Sequence, residues 1–179
     1  VLYLALEDDF QRIQSRMFMM YGVNDTDRLH FATAAGKIGN GLDEQLENFV
    51  REHPDTKLII IDTMQKIREV DGEAYSYASD YEIIGKLKQF ADKHCICILT
   101  VHHTRKQPAG DSFEMISGTT GLLGCADGSL LMQKKKRTAL EATIDVVGRD
   151  QQDQILYLKK DADTQIWNLE KVENELHKE

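Results

Sequence analysis

Carboxylates and imidazoles stand where the apolar runs of this chain stop. Glu7 ends VLYLAL, Asp62 ends KLIII, and His102-His103 ends CICILTV. An acid at the carboxyl end of a buried strand can hold a magnesium ion through water, or orient and deprotonate a water molecule. An imidazole there can meet a phosphate or pass a proton. Each group also has a plainer use. Asp62 can cap the turn that follows it, and Glu7-Asp8-Asp9 can sit at the positive end of a helix dipole. Adjacent histidines on a strand point to opposite faces and share one metal poorly. Cys95 and Cys97 lie two apart and share a strand face, so they could begin a metal site or be buried reduced thiols. A four-residue basic run, Lys134-Lys135-Lys136-Arg137, can follow a phosphate backbone or fill a solvated turn.

The elements that must position these groups follow from hydropathy. Leu2 to Leu6, Lys57 to Asp62 and Cys95 to Val101 are nearly unbroken apolar runs, as strands buried on both faces of a parallel sheet require. Helical stripes lie between them. Phe10, Ile13 and Met17 mark a helix over about Asp9 to Tyr21, ended by Gly22. A short strand is expected at Leu29 to Ala32. Leu42, Leu46, Phe49 and Val50 mark a helix over Asp43 to Glu52, stopping before Pro54. Residues 63–76 read as an irregular link. Ser79-Asp80-Tyr81-Glu82 fits a capping box for a helix running to about His94. After a polar loop over Thr104 to Phe113, a short helix is expected at Thr119 to Cys125 and a strand at Gly128 to Gln133. From Ala139 the pattern alternates through Val147, Gln154 to Leu158 and Gln165 to Leu169, as in an antiparallel meander appended to the sheet. Glu170 to Glu179 reads as a polar tail of frayed helix. The fold class is therefore α/β, with a mostly parallel sheet flanked by helices, and ligands in such sheets bind at the carboxyl ends of strands.

The 179 residues suit a single domain, and a charged fraction of 29% suits a soluble protein. A net charge of −8 argues against a broad basic face for duplex DNA and leaves room for a local basic patch. Val1 already lies at a strand, which predicts a further segment upstream.

In order and spacing, these pieces resemble the RecA-like ATPase core of the plasmid RepA and replicative hexameric helicase family. VLYLALEDD resembles its strand with the catalytic glutamate, LIIIDT its Walker B strand, and ILTVHHTRK its sensor strand. SGTTGLLGCADGSLLM resembles the helix and strand that follow, and VVGRDQQDQILYL the late β-hairpin. The resemblance implies a catalytic Glu7, a magnesium-associated Asp62, and a phosphate sensor at His102 with His103. It implies an Arg149 that reaches a neighbouring subunit's nucleotide, against the plainer ion pair with Asp150 or Asp153. The family pattern has an arginine where Ser117 stands. Arg105, Lys106 and Lys134 to Arg137 are the implied contacts to single-stranded DNA in a central channel. ATP and magnesium are the implied cofactors, a hexameric ring the implied assembly, and the cytoplasm the implied location. The phosphate loop G-x-x-x-x-G-K-[ST] is not found, since Gly36-Lys37 is followed by Ile38 in the wrong spacing. The chain is therefore expected to lack the phosphate-loop strand, which would lie between the sensor strand and Gly128 to Gln133. It is expected to be an incomplete, N-terminally truncated piece of an ATP-dependent DNA helicase, inactive alone. The other readings are a RecA-like regulatory ATPase without unwinding and a degenerate oligomerisation domain.

Overall fold

The structure, a computed structural model, describes residues 1–23, 26–68, 77–103 and 124–174, without the side chains of 77–80. Its strands fall into two sheets. Strands β1 (Leu2–Ala5), β2 (His30–Ala32), β3 (Leu58–Asp62) and β4 (Cys97–Val101) form a parallel sheet in the order β2-β1-β3-β4. Strands β5 (Gly128–Gln133), β6 (Glu141–Gly148), β7 (Gln154–Lys160) and β8 (Trp167–Asn174) form an antiparallel meander in chain order.

The apolar runs build the first sheet, but the expected burial on both faces holds for one: on the other, Tyr3 and Ile60 are half-buried and Leu99 is 40% exposed. Leu2, Leu4, Ile59 and Ile61 are buried, the last two with no exposed surface. The cover comes from helices. In α2 (Leu42–Glu52), Leu42 and Leu46 lie one turn apart and pack inward with Phe49 and Val50 beside them. In α4 (Tyr77–His94), Ile83 and Leu87 repeat that spacing against the same core. Complete burial of an isoleucine such as Ile59 contributes roughly 1.5–3 kcal/mol over leaving it in water.

Helix α1 (Phe10–Tyr21) is held at its ends. The Asp9 carboxylate accepts the Arg12 backbone N–H at 2.8 Å, and Gly22 closes the helix at φ 67°, a left-handed turn natural to glycine. Only Ile13 of this helix is buried.

Several expectations need correction. The link after Asp62 contains a short helix, α3 (Met64–Ile67), whose Met64 and Ile67 are 1% and 0% exposed and belong to the core. Helix α4 begins at Tyr77, ahead of the expected cap at Ser79. The strand at Gly128 does not join the parallel sheet; it opens the second one, so the meander is a separate sheet and not an appendage. Glu170–Asn174 is no helical tail. It is the second half of β8, where Lys171, Val172 and Glu173 pair with Tyr157, Leu156 and Ile155. Its side chains are polar because they meet other polar groups across the strand: the Tyr157 hydroxyl donates to Glu173 Oε2 at 2.9 Å. Cys95 precedes β4 at φ 53° and, like Cys97, is exposed, so these two are neither buried thiols nor same-face strand neighbours. Cys125 is buried. The expected helix at Thr119 to Cys125 lies outside the described residues except for Gly124 and Cys125, which are helical. The polar loop Thr104 to Phe113 also lies outside them. No helix among the described residues is long and apolar enough to cross a membrane.

Candidate functional site

Strand register brings the chemical groups to one edge. Ala5 pairs with Asp62, and Asp62 pairs with Val101, so β1, β3 and β4 end side by side. Glu7 leaves β1 just beyond Ala5, while His102 and His103 leave β4 just beyond Val101. The backbone closes this rim where Leu6 N–H donates to the Asp62 carbonyl at 2.7 Å. The Asp62–Thr63 peptide is cis.

Two hydroxyls orient the carboxylates. The Tyr3 hydroxyl donates to Asp62 Oδ2 at 2.7 Å, and the Thr63 hydroxyl donates to Glu7 Oε1 at 3.0 Å. His103 Nε2 lies 3.8 Å from Glu7 Oε2. The Glu7 side chain is 43% exposed and that of His103 64%, so both can reach a solute. His102 is half-buried at the same edge. Burial, then the hydrogen bond and charge of Asp62, push the Tyr3 phenol up to about 12. Tyr3 therefore stays a neutral donor to Asp62.

The neighbouring acids serve the fold. Asp9 caps α1, and Asp8 takes Arg12 Nε at 3.1 Å and Arg16 Nη1 at 2.7 Å. Glu7 alone of the acidic triplet turns to the rim.

Tyr3 and Thr63 were not singled out from the sequence. A tyrosine inside an apolar strand was the available signal, because Tyr3 pairs with Ile60, two residues before Asp62, and so shares the face of that carboxylate. Thr63 stands directly after the strand-ending acid, a position where a hydroxyl can lean back across the rim.

The remaining candidates are elsewhere. Arg149 sits in the β6–β7 turn, where Nη2 donates to the Gly124 carbonyl at 2.8 Å and Nη1 lies 3.8 Å from Asp127 Oδ1. Asp127 thus replaces the expected partners Asp150 and Asp153. Lys88 Nζ binds the same acid at 2.7 Å and holds the Asp127 carboxyl below its usual range. Lys134, Lys135, Lys136 and Arg137 are exposed in the β5–β6 turn, with Lys134 Nζ donating to the Arg137 carbonyl at 3.0 Å. Arg105, Lys106 and Ser117 lie outside the described residues. The Gly36-Lys37 loop serves its own helix: Gly36 N–H donates to Gln45 Oε1 at 2.8 Å and Gly39 N–H to Asp43 Oδ2 at 2.6 Å. Those amides are occupied, as an anion-cradling loop's are not. Among the described residues no group of three or more His, Cys, Asp or Glu could hold a metal unaided.

The fold has a counterpart. The structure of a DnaB-like replicative helicase, reported with its interactions with primase, matches over 93% of this chain and 51% of its own, at a TM-score of 0.75 and 13% identity. The chain thus spans about half the length of that helicase chain, and what the likeness establishes is the fold, the RecA-like fold of the replicative helicases. No curated protein matches. The family model described as an AAA domain matches residues 1–109, which include β1 to β4 and the rim of Glu7, Asp62, His102 and His103. The chain belongs to that AAA-domain family.

Proposed function

We propose that this chain is the ATP-binding and ATP-hydrolysing core of a RepA-type DNA helicase serving replication of a plasmid, phage or other mobile element, and that it acts within a longer protein. One observation carries the reading: two carboxylates, Glu7 just beyond β1 and Asp62 at the end of β3, stand at the carboxyl rim of a parallel sheet, each oriented by its own hydroxyl donor. Ligands of such sheets bind at this rim. Glu7, exposed and held by Thr63, is placed to orient and deprotonate a water molecule. His103 beside it, with His102, is suited to sense the terminal phosphate.

The donor set fits magnesium. That ion is commonly held by one or two carboxylates together with substrate phosphates and water, not by an all-protein cage. Asp62 would hold it, with Oδ2 steadied by Tyr3. What the ion supplies when bound is neutralisation of phosphate charge. Arg149 would act on a neighbouring subunit's nucleotide in a hexameric ring, exchanging Gly124 and Asp127 for phosphate. The partner is single-stranded DNA, met by Arg105, Lys106 and Lys134 to Arg137, and the setting is the cytoplasm.

The test is ATP hydrolysis by the protein at its full natural length, with and without single-stranded DNA. Hydrolysis stimulated by DNA supports the motor. Hydrolysis indifferent to DNA turns the reading to a regulatory ATPase. A folded protein that hydrolyses nothing overturns the enzyme.

A further inference from the structure

The chain has a single tryptophan, Trp167, at the start of β8. It pairs directly with Lys160, the last residue of β7, so their side chains share one face of the antiparallel sheet. The β5–β6 turn returns at the same end. Lys134 Nζ lies 5.6 Å from the Trp167 ring centroid and Lys160 Nζ 5.8 Å from it. Both distances are within cation–π range. Lys135, Lys136 and Arg137 continue outward from Lys134, all exposed. Leu169, two residues along the same face, is 57% exposed, and Leu140 in the adjoining turn is 45% exposed.

The acids at this end are partly spent on the protein itself. Asp161 Oδ1 accepts the Asp163 and Thr164 backbone N–H groups at 3.0 and 2.7 Å and the Thr164 hydroxyl at 2.9 Å. Glu170 lies 4.0 Å from Lys159. A chain with a net charge of −8 therefore gathers cations around its one indole and a patch of exposed leucine.

A single cation on an aromatic ring is common surface stabilisation. Two ammonium groups on one indole, continuing into a basic turn, match a different object: a flat π-face with anions on either side of it. That object is a nucleotide in a single strand, whose base can lie on an aromatic ring while its flanking phosphates meet lysines. Bases stacked inside a duplex cannot present such a face.

We propose that Trp167, flanked by Lys134 and Lys160, is a stacking platform for a base of single-stranded nucleic acid, with Lys135, Lys136 and Arg137 following its backbone. The platform rests on the reading that the chain engages single-stranded nucleic acid, and is independent of whether it hydrolyses ATP.

The single indole is its own reporter. The folded chain is titrated with an oligo-dT of about 15 nucleotides, within the span that single-strand sites occupy, while Trp167 emission and the anisotropy of a labelled oligonucleotide are followed. Binding is expected to quench the indole. An abasic oligonucleotide of equal charge is expected to bind with the emission unchanged. Trp167→Ala is expected to weaken binding at least about fivefold, the low end of one stacked base. Lys134→Ala and Lys160→Ala, which keep the indole, are each expected to lower the salt slope by about 0.7. Quenching by oligo-dT, oligo-rU or both supports the platform and identifies the sugar it accepts. Binding that leaves the indole unchanged and ignores Lys134→Ala and Lys160→Ala overturns the platform while the nucleic-acid reading stands. No binding of any strand by the folded chain overturns both.

Discussion

The two sheets place their apolar surface differently. In the parallel sheet Leu2, Leu4, Ala5, Ile59 and Ile61 are 6% exposed or less, shut in by α2, α3 and α4. In the antiparallel sheet only Leu131, Ala142 and Val146 are buried, while Leu130, Met132, Leu169 and Val172 are between 38% and 57% exposed. The parallel sheet closes on helices at the face of Leu2, Leu4, Ile59 and Ile61; a meander can leave a face to solvent and draw on cross-strand pairs. The contrast extends to chemistry. Glu7 and Asp62 stand at the rim of a rigid core, each with a hydroxyl partner, and short side chains there are pre-positioned. The cations of the second sheet ride on long side chains over open surface. Under the proposal above, that arrangement suits a polyanion tracked by charge and stacking.

The largest expected effect strikes the rim. Glu7→Gln in the full-length protein is expected to reduce ATP hydrolysis by about 10²- to 10⁴-fold, the usual worth of a positioned base. The fold should be untouched, because the Glu7 side chain is 43% exposed. Circular dichroism alongside the hydrolysis assay checks both halves, and near-normal hydrolysis would show that the rim carboxylate does no chemistry. The next effect compares the sheets directly. Ile59→Ala removes a side chain with no exposed surface and is expected to cost about 2–5 kcal/mol in urea unfolding. Leu130→Ala, in a strand position 57% exposed, is expected to stay within about 0.5 kcal/mol. Equal losses at the two positions would mean that something covers the second sheet.

The first sheet was the more legible because its strands are continuous apolar runs with sharp polar ends, although Leu99 on its second face is 40% exposed. LIIID gave β3 with its terminal acid, and CILTV gave β4 with its histidines. The second sheet was harder. Its strands alternate weakly, so Glu170–Asn174 looked like a tail, although Lys171 and Glu173 are strand residues facing Tyr157 and Ile155. Whether Gly128 to Gln133 joins the parallel sheet depends on which edge it meets, and no local pattern carries that. At the site, the acids were visible and their partners were not. Tyr3 reaches Asp62 across 59 positions of chain and Thr63 reaches Glu7 across 56; only strand register makes such pairs, and register is a property of the assembled sheet.

The smallest effect tests that register through a proton. Tyr3 ionises near 12 in the folded chain against 10.0 for the free phenol. A group whose folded value is raised contributes its stabilisation fully below the unfolded value and loses it as pH rises through the folded one. The Tyr3 contribution should therefore be complete below pH 10 and fade between pH 10 and 12. Unscreened, the shift corresponds to about 2.7 kcal/mol; for a partly solvated group about 1–2 kcal/mol is the reasonable size. Tyr3→Phe keeps the ring against Phe31, 5.7 Å away between centroids, and removes only the hydroxyl. Urea midpoints of the two proteins should differ at neutral pH and converge as the pH climbs through that window. Other tyrosines and lysines titrate there too, but they do so in both proteins, so the difference isolates Tyr3. A gap that stays constant across the window would mean that the hydroxyl does not meet Asp62, and the carboxylate rim would lose one of its two orienting donors.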